Sequence, residues 1–235
     1  MATTGFGGKT DHFTLATASL ILQESSKTPR KANMATALDA NGDVAVTELY
    51  GNAAGTLYDA SCTYLLKSGT LDLSTITVGE QSTGVVITSI TVDTSNGDWP
   101  KITASGVLGT AAFQAPTGKT AKAALPAVTL TGGKFAQGIG FTVATGALNS
   151  SSLSVSCETA EANDGEGEPV AYAASFPNAE VTATGVYTDA AFTWAVTDPG
   201  VGLVESQAES AEEPQAAWQT ATVAGYIPLT RGTAA

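Results

Sequence analysis

The acidic stretch "DANGD", which begins at Asp39, is the segment whose spacing comes closest to that of a metal site. Asp39, Asn41 and Asp43 occupy alternate positions, which is the 1-3-5 spacing that begins an EF-hand calcium loop. Such a loop needs glycine at its sixth position and glutamate at its twelfth, where this chain has Val44 and Tyr50. We therefore interpret the stretch as an acidic hairpin turn carrying Asp39 and Asp43, and we expect no metal or other cofactor.

The chain contains few residues that could form a nucleophilic catalytic site. His12 is the single histidine, so a Ser-His-Asp triad or a histidine-based zinc site has only that residue to build on. Cys62 and Cys157 are the only cysteines and lack metal-binding or redox spacing, so we expect small core residues in a reducing cytoplasm rather than a disulfide. The sequence predicts that the protein is not an enzyme. A hydrolase with paired carboxylates is the remaining enzymatic alternative, although the acids lie mainly in turns.

Composition and charge narrow the class of protein further. The 235-residue chain has 25 glycines, 9 prolines and only 14% charged residues, which is typical of many short strands joined by turns. Its formal net charge of −12 argues against a protein that grips nucleic acid by its phosphates. An acidic surface instead repels a polyanion or keeps the protein soluble. We expect no secretion signal and no transmembrane helix, because no segment approaches the roughly 20 apolar residues of a span.

Three pairs of segments match in the same order along the chain, which indicates an internal duplication. "FTLATASL" matches "FTVATGAL", "VAVTELYGNA" matches "VAYAASFPNA", and "WPKITASGVL" matches "WQTATVAGYI". The aromatic residues that coincide, and that we expect to anchor the core of each copy, are Phe13 with Phe141, Tyr50 with Phe176, and Trp99 with Trp218. The second copy has its own acidic turn, "NDGEGE", with carboxylates at Asp164, Glu166 and Glu168.

The duplication sets the expected domain boundaries. Residues 1–12 are an N-terminal arm, and residues 13–109 are the first β module. Residues 110–140 are rich in Gly, Pro and Ala and are expected to be a linker or an insertion. Residues 141–232 are the second β module.

Alternating and β-branched runs dominate both copies and predict strands over residues 56–66, 84–94, 101–108, 152–159, 179–188, 191–197 and 221–227. The "SNGD" between two of these runs predicts a two-residue hairpin. Helix is limited to a turn near Leu71–Ile76, and the polar, proline-interrupted residues 205–218 are expected to form a solvated loop. The sequence thus predicts an all-β fold with little helix, built from two tandem β-sandwich or barrel modules related by internal duplication.

The order of these features resembles that of bacteriophage structural proteins, most closely the tail tube proteins of long-tailed phages. The resemblance rests on the acidic glycine turn, the "VA" and Asn-Ala that follow it, the "TATGV" strand, and the "SNGD" hairpin before a closing strand. It implies small β modules whose sheets join edge to edge into a six-fold ring with an inner β-barrel, and rings that stack into a hollow tube. Two modules per chain would make that ring a trimer with pseudo-six-fold symmetry.

The same resemblance implies partners and a location. The protein would be a virion component of the tail, made in the host cytoplasm, with other phage tail proteins as partners and no membrane association. DNA would pass through an acidic lumen without specific binding. The alternative is a capsid decoration protein or an adhesin-like tandem immunoglobulin-type binding module. Such a module is expected to be a monomer or a small trimer with an exposed aromatic patch.

Overall fold

The computed structural model describes most of the first 165 residues and the central strands of the rest. The described residues are 9–31, 33–50, 52, 55–82, 84–110, 120–139, 141–143, 147–165, 169–175, 179–188, 194–196, 206–211, 218–227 and 229–233. Strands account for nearly all of the regular structure among them, so the predicted all-β class is confirmed.

Twenty strands are described. In the first 110 residues they are β1 Leu20–Pro29, β2 Asn33–Leu38, β3 Val44–Tyr50, β4 Tyr58–Leu66, β5 Thr70–Asp72, β6 Thr77–Val78, β7 Gln81–Ser82, β8 Val85–Ser95 and β9 Asp98–Leu108. The remaining strands are β10 Thr120–Ala124, β11 Thr129–Thr131, β12 Phe141–Val143, β13 Ala147–Ser156, β14 Glu158–Asn163, β15 Pro169–Ser175, β16 Ala179–Thr188, β17 Trp194–Val196, β18 Ser206–Ala211, β19 Trp218–Ile227 and β20 Thr230–Thr233.

The only helix among the described residues is a 3-10 turn at Leu73–Thr75, inside the segment predicted to hold a turn of helix. Asp72 caps it, because its side chain accepts hydrogen bonds from the backbone N–H and the hydroxyl of Ser74. The buried Leu73 fixes this turn against the core.

One large antiparallel sheet contains nine strands and dominates the fold. Eight of them follow the order β1-β4-β9-β8-β13-β16-β19-β18, and the short β7 pairs with β8 beside this path. We call this path the main sheet. Five small sheets accompany it among the described residues, with the orders β20-β10-β6, β11-β5, β12-β17, β14-β15 and β2-β3.

Side-chain alternation gives the main sheet one buried face in its first half. Along β4, Cys62, Tyr64 and Leu66 are buried while the residues between them are partly exposed. The other fully buried side chains on this face include Leu20, Ile90, Val92, Ile102 and Leu153. Burial of each such aliphatic side chain stabilises the fold by about 1.5–3 kcal/mol.

A second layer covers this face and has β-sandwich character. The 3-10 turn, β6, β10 and β11 contribute buried side chains to the same core, namely Leu73, Val78, Ala123 and Leu130. Residues 120–139, which lie in the expected linker or insertion, also bury Leu125 and Ile139 there. This part of the connection is therefore integral to the core.

Two hairpin turns form where the sequence predicts them. Ser95 pairs with Asp98, so β8 and β9 are joined by the two-residue turn Asn96–Gly97, as "SNGD" predicts; Gly97 has φ +93°. The "DANGD" turn joins β2 to β3, with the Asp39 N–H bonded to the Asp43 carbonyl. The prediction of an acidic hairpin turn at "DANGD" is confirmed.

Several segments differ from the sequence-based expectation, and two of them lie at the outer strands of the main sheet. Residues 205–218 were expected to be a solvated loop, and this is wrong for Ser206–Ala211, which form β18 and pair with β19 over six residues. Strand β1 was not predicted at all, because its C-terminal half is polar, yet it pairs with β4 as far as Pro29. In both cases the neighbouring strand supplies hydrogen-bonding partners that local sequence does not reveal.

Candidate functional site

The main sheet offers three features that could carry function: a polar face, an internal junction and two outer edges. No group of three or more His, Cys, Asp or Glu side chains lies together as a metal site would require, within the part of the chain that the structure describes.

The face of the main sheet opposite the core is covered with hydroxyl groups. Strand register places serines on one line across five neighbouring strands, in the order Ser26, Ser61, Ser105, Ser89 and Ser156. The Ser105 hydroxyl donates to the Ser61 hydroxyl at 3.3 Å, so these two neighbours on the line are hydrogen-bonded to each other. None of these side chains is buried.

A second line of residues runs parallel to the first. It passes through Glu24, Thr63, Thr103, Thr91, Ser154 and Glu180. The hydroxyls of Thr63 and Thr103 lie 3.4 Å apart. The middle of this face thus presents short, uncharged hydroxyl side chains, with Glu24 on one side of them along the line and Glu180 on the other.

Charged residues on this face are few. Asp93 and Lys101 face each other in register on the next line. Partial burial raises the pKa of Asp93, and attraction to Lys101 opposes that shift. Opposite charges in register neutralise each other, so this pair adds no strong binding site for a polyanion.

A groove of about 450 Å³ lies beside the serine line and is lined by Ser26, Thr28, Arg30, Asp59, Ser105 and Cys157. The Arg30 Nε lies 2.9 Å from the Asp59 carboxylate, and its Nη1 lies 2.9 Å from the Glu161 carboxylate. Both acceptors neutralise the guanidinium, so the groove offers little free positive charge. The Glu161 bond also ties β14 to the end of β1.

The junction between β8 and β13 joins the first half of the main sheet to the second. Seven residue pairs form it, from Ser150 opposite Ser95 to Ser156 opposite Ser89. On the core face, the hydroxyls of buried Thr94 and Ser151 lie 3.0 Å apart. The Thr94 hydroxyl also donates to the Gln137 carbonyl at 3.0 Å, so Gln137 is bonded to the junction on its core face.

The predicted aromatic anchors are only partly described. Phe13 is buried in the core. Trp99, near the start of β9, is half-buried, and the Lys134 Nζ lies 4.1 Å and the Lys67 Nζ 5.5 Å from its ring centroid. Two cations on one indole stabilise a partly exposed ring.

The other four predicted anchors stay predictions. Phe141 begins β12 opposite Val196, Trp218 begins β19 opposite Thr188, and Tyr50 ends β3 opposite Asn33. The side chains of these three residues, and the whole of Phe176, lie outside the described residues.

The predicted acidic turns are surface features where they are described. Asp39 and Asp43 are exposed, and the Asp39 carboxylate accepts hydrogen bonds from the backbone N–H groups of Asn41 at 2.8 Å and of Asp43 at 3.0 Å. This is the geometry of an Asx turn, which stabilises the hairpin without a metal. Asp164 is exposed just after β14, and Glu166 and Glu168 lie outside the described residues.

Two surfaces were not predicted from the sequence. One is the hydroxyl-covered face, which the alternation of serines and threonines in β4, β8, β9 and β13 could have indicated. The other is the apolar surface of the β2–β3 hairpin, whose exposed side chains are Met34 (65%), Leu38 (61%), Val44 (64%) and Val46 (49%).

Both cysteines are free, with Cys62 buried and Cys157 half-buried. Burial raises the pKa of the Cys62 thiol, and it raises the pKa of the Cys157 thiol to about 11. Neither thiol is therefore an activated nucleophile.

We expect the native protein to react slowly with Ellman's reagent at pH 8, because a thiol with a pKa near 11 is ionised to only about 0.1% there. The rate should rise about tenfold per pH unit up to that pKa. Absorbance at 412 nm follows the reaction, and the Cys157→Ser variant isolates Cys62, which should react only after unfolding. Rapid reaction of either thiol below pH 9 would contradict the assignment.

Comparison with known proteins adds no relative: no protein-family model and no curated protein matches this chain. None of the described helical structure is long and apolar enough to cross a membrane.

Proposed function

We propose that this chain is a structural subunit of a hollow, self-assembling conduit, of the kind that forms the tail tube of long-tailed phages. The observation that carries the proposal is the β8–β13 junction. This junction pairs the edge strands of two four-strand sets within one chain. The same edge-to-edge pairing between chains would build a ring.

The strand order supports an internal duplication of a β module. The first set has the order β1-β4-β9-β8 and the second has the order β13-β16-β19-β18. Each set follows the chain in the same way, with a separate hairpin, β2–β3 or β14–β15, placed between its first and second members. A duplicated module accounts for this shared sequence of pairings.

Strand register relates the two sets in finer detail, and it makes Leu22 equivalent to Leu148, which is two residues from the match of Leu20 with Leu148 in the sequence. β1 has an irregularity between Leu22 and Glu24 opposite β4, and β13 has one between Leu148 and Ser150 opposite β16. The two hairpins also each have a bulge in their second strand, at Ala45 in β3 and at Val170 in β15. Bulges bend a sheet at defined points, so bulges in corresponding strands are a feature that two copies of one module would share.

Open edges provide the means of assembly. The main sheet begins at β1 and ends at β18, and each of these strands has one partner among the described residues. Open edges are a liability in a monomer, but they become joints when every edge is paired in a closed ring. Three chains would close a ring with pseudo-six-fold symmetry, and rings would stack into a tube.

The hydroxyl-covered face suits the wall of a lumen. Serine and threonine hydroxyls bind water without concentrating positive charge, and the net charge of −12 repels the phosphates of a passing nucleic acid. DNA would thus move through without specific binding. In this role the protein would be part of the virion tail, would be assembled from host-made chains, and would contact other tail proteins.

The first test is negative-stain electron microscopy of the purified protein at high concentration, together with its mass by light scattering. Hollow rings or tubes with a mass that is a multiple of three chains are the expected result. A monodisperse monomer at all concentrations would contradict the proposal of a conduit. A compact trimer without a central hole would favour the decoration or adhesin function.

A further inference from the structure

We infer that β18 of one chain pairs antiparallel with β1 of a second copy, in a register that sets Glu209 opposite Lys27. This inference rests on the proposed conduit, and it specifies which strands and residues form the joint between chains.

The internal junction is the template for the joint. β8 ends the first four-strand set and β13 begins the second, and they pair over seven residues. β18 ends the second set as β8 ends the first, and β1 begins the first set as β13 begins the second. The two outer edges therefore carry the same pair of strand types that already join inside the chain.

Register identifies equivalent residues in the two sets. The reference line of the first set is the line that starts just after the bulge of β1, and it runs through Glu24, Thr63, Thr103 and Thr91. The reference line of the second set starts just after the bulge of β13 and runs through Ser150, Thr184, Thr222 and Ala208.

Residues next to the reference lines then fix the register between chains. Val92 stands one residue beyond the line in β8, and Glu209 stands one residue beyond it in β18. Leu153 stands three residues beyond the line in β13, and Lys27 stands three beyond it in β1. Since Val92 lies opposite Leu153 inside the chain, the same joint between chains sets Glu209 opposite Lys27.

The resulting pair is complementary in charge. Directly opposed residues of antiparallel strands interact, and opposite charges there are favourable whereas like charges are not. A lysine on one edge and a glutamate on the other disfavour pairing of β1 with β1 or of β18 with β18. Pairing of β18 of one chain with β1 of the next places the glutamate opposite the lysine at every joint. This head-to-tail arrangement is also the one that closes a ring.

Lys27 is available for this role. Its side chain is exposed, and its Nζ lies 3.9 Å from the centroid of the Tyr58 ring on the neighbouring strand. The ring holds the ammonium group beside the open edge without neutralising its charge. Lys31, two residues past the end of β1, is also exposed but lies outside the expected joint, so it serves as a matched control.

The test is a charge exchange read by analytical ultracentrifugation. We expect Lys27→Glu and Glu209→Lys each to weaken assembly by about tenfold per joint, because each puts like charges in opposition. The double variant Lys27→Glu/Glu209→Lys should recover assembly near that of the unaltered protein, and Lys31→Glu should assemble normally. Circular dichroism verifies that each variant is folded.

Disulfide cross-linking tests the same register between β18 and β1 without depending on charge. A mixture of Lys27→Cys and Glu209→Cys chains should form a disulfide-linked dimer on oxidation, whereas either variant alone should not. If rings form but neither charge exchange nor cross-linking behaves in this way, the register is wrong and the conduit stands. If the unaltered protein never assembles, the conduit and the register fail together.

Discussion

Replacement of Gly106 by alanine is expected to destabilise the protein by at least about 3 kcal/mol, since overpacking against fixed backbone exceeds the usual cost of an added methyl group. A Cβ atom at this position in β9 would lie 2.0 Å from the Val86 carbonyl oxygen and 2.9 Å from the Ile87 Cα. Both contacts are to the backbone of β8, so no side-chain rotation relieves them. Urea unfolding followed by circular dichroism measures the loss.

Gly165 supplies the matched control for this substitution. A Cβ there would meet nothing within 4 Å, so Gly165→Ala should change the free energy of unfolding by less than about 1 kcal/mol. The same substitution at Gly106 should also lower the yield of assembled protein, because β8 carries the internal junction. Equal stability of the two variants would mean that β8 and β9 do not approach as closely as the structure has them.

Replacement of Asp11 by alanine is expected to cost about 3 kcal/mol, because it leaves several donors unpaired, each worth roughly 1 kcal/mol or more when buried. The Asp11 carboxylate is buried and accepts three hydrogen bonds. They come from the Tyr64 hydroxyl at 2.6 Å, the Ala16 N–H at 2.7 Å and the Phe13 N–H at 3.2 Å. These bonds hold the N-terminal segment against the core face of the main sheet.

Tyr64→Phe separates the phenol bond from the two backbone bonds. Burial, and after it the hydrogen bond to Asp11, raise the pKa of Tyr64, so the phenol stays protonated and donates at any ordinary pH. The phenylalanine should cost about 1 kcal/mol, and Asp11→Ala should cost less in that background than in the unaltered protein. Strict additivity of the two substitutions would argue that the two side chains do not interact.

Much of the first half of the fold follows from its sequence. The alternation in β4, β8 and β9 fixes which side chains are buried, because successive residues of a strand point to opposite faces. The turn at Asn96–Gly97 follows from a glycine at its second position, where Gly97 has positive φ. These signals are local, so they can be recognised without knowledge of the partner strand.

The hydroxyl-covered face and the edge strand β18 were harder to predict from the sequence. Its hydroxyl lines consist of residues far apart in the chain, such as Ser26, Ser105 and Ser156, and only register brings them together. β18 lacks an apolar alternation, and its strand conformation depends on the edge that β19 offers. Edge strands carry the weakest sequence signal because only one side of the strand has a partner to satisfy.

The sequence by itself determined the all-β class, the acidic balance, the positions of two hairpin turns and the alternation of buried residues in β4, β8 and β9. Each of these depends on composition or on neighbours a few residues apart. Only the tertiary structure decided that β8 pairs with β13, that β1 and β18 each have one partner among the described residues, and that the hydroxyl groups share one face. Those features depend on pairing between distant strands, where hydrogen bonds are available to almost any residue and the surrounding core selects the register.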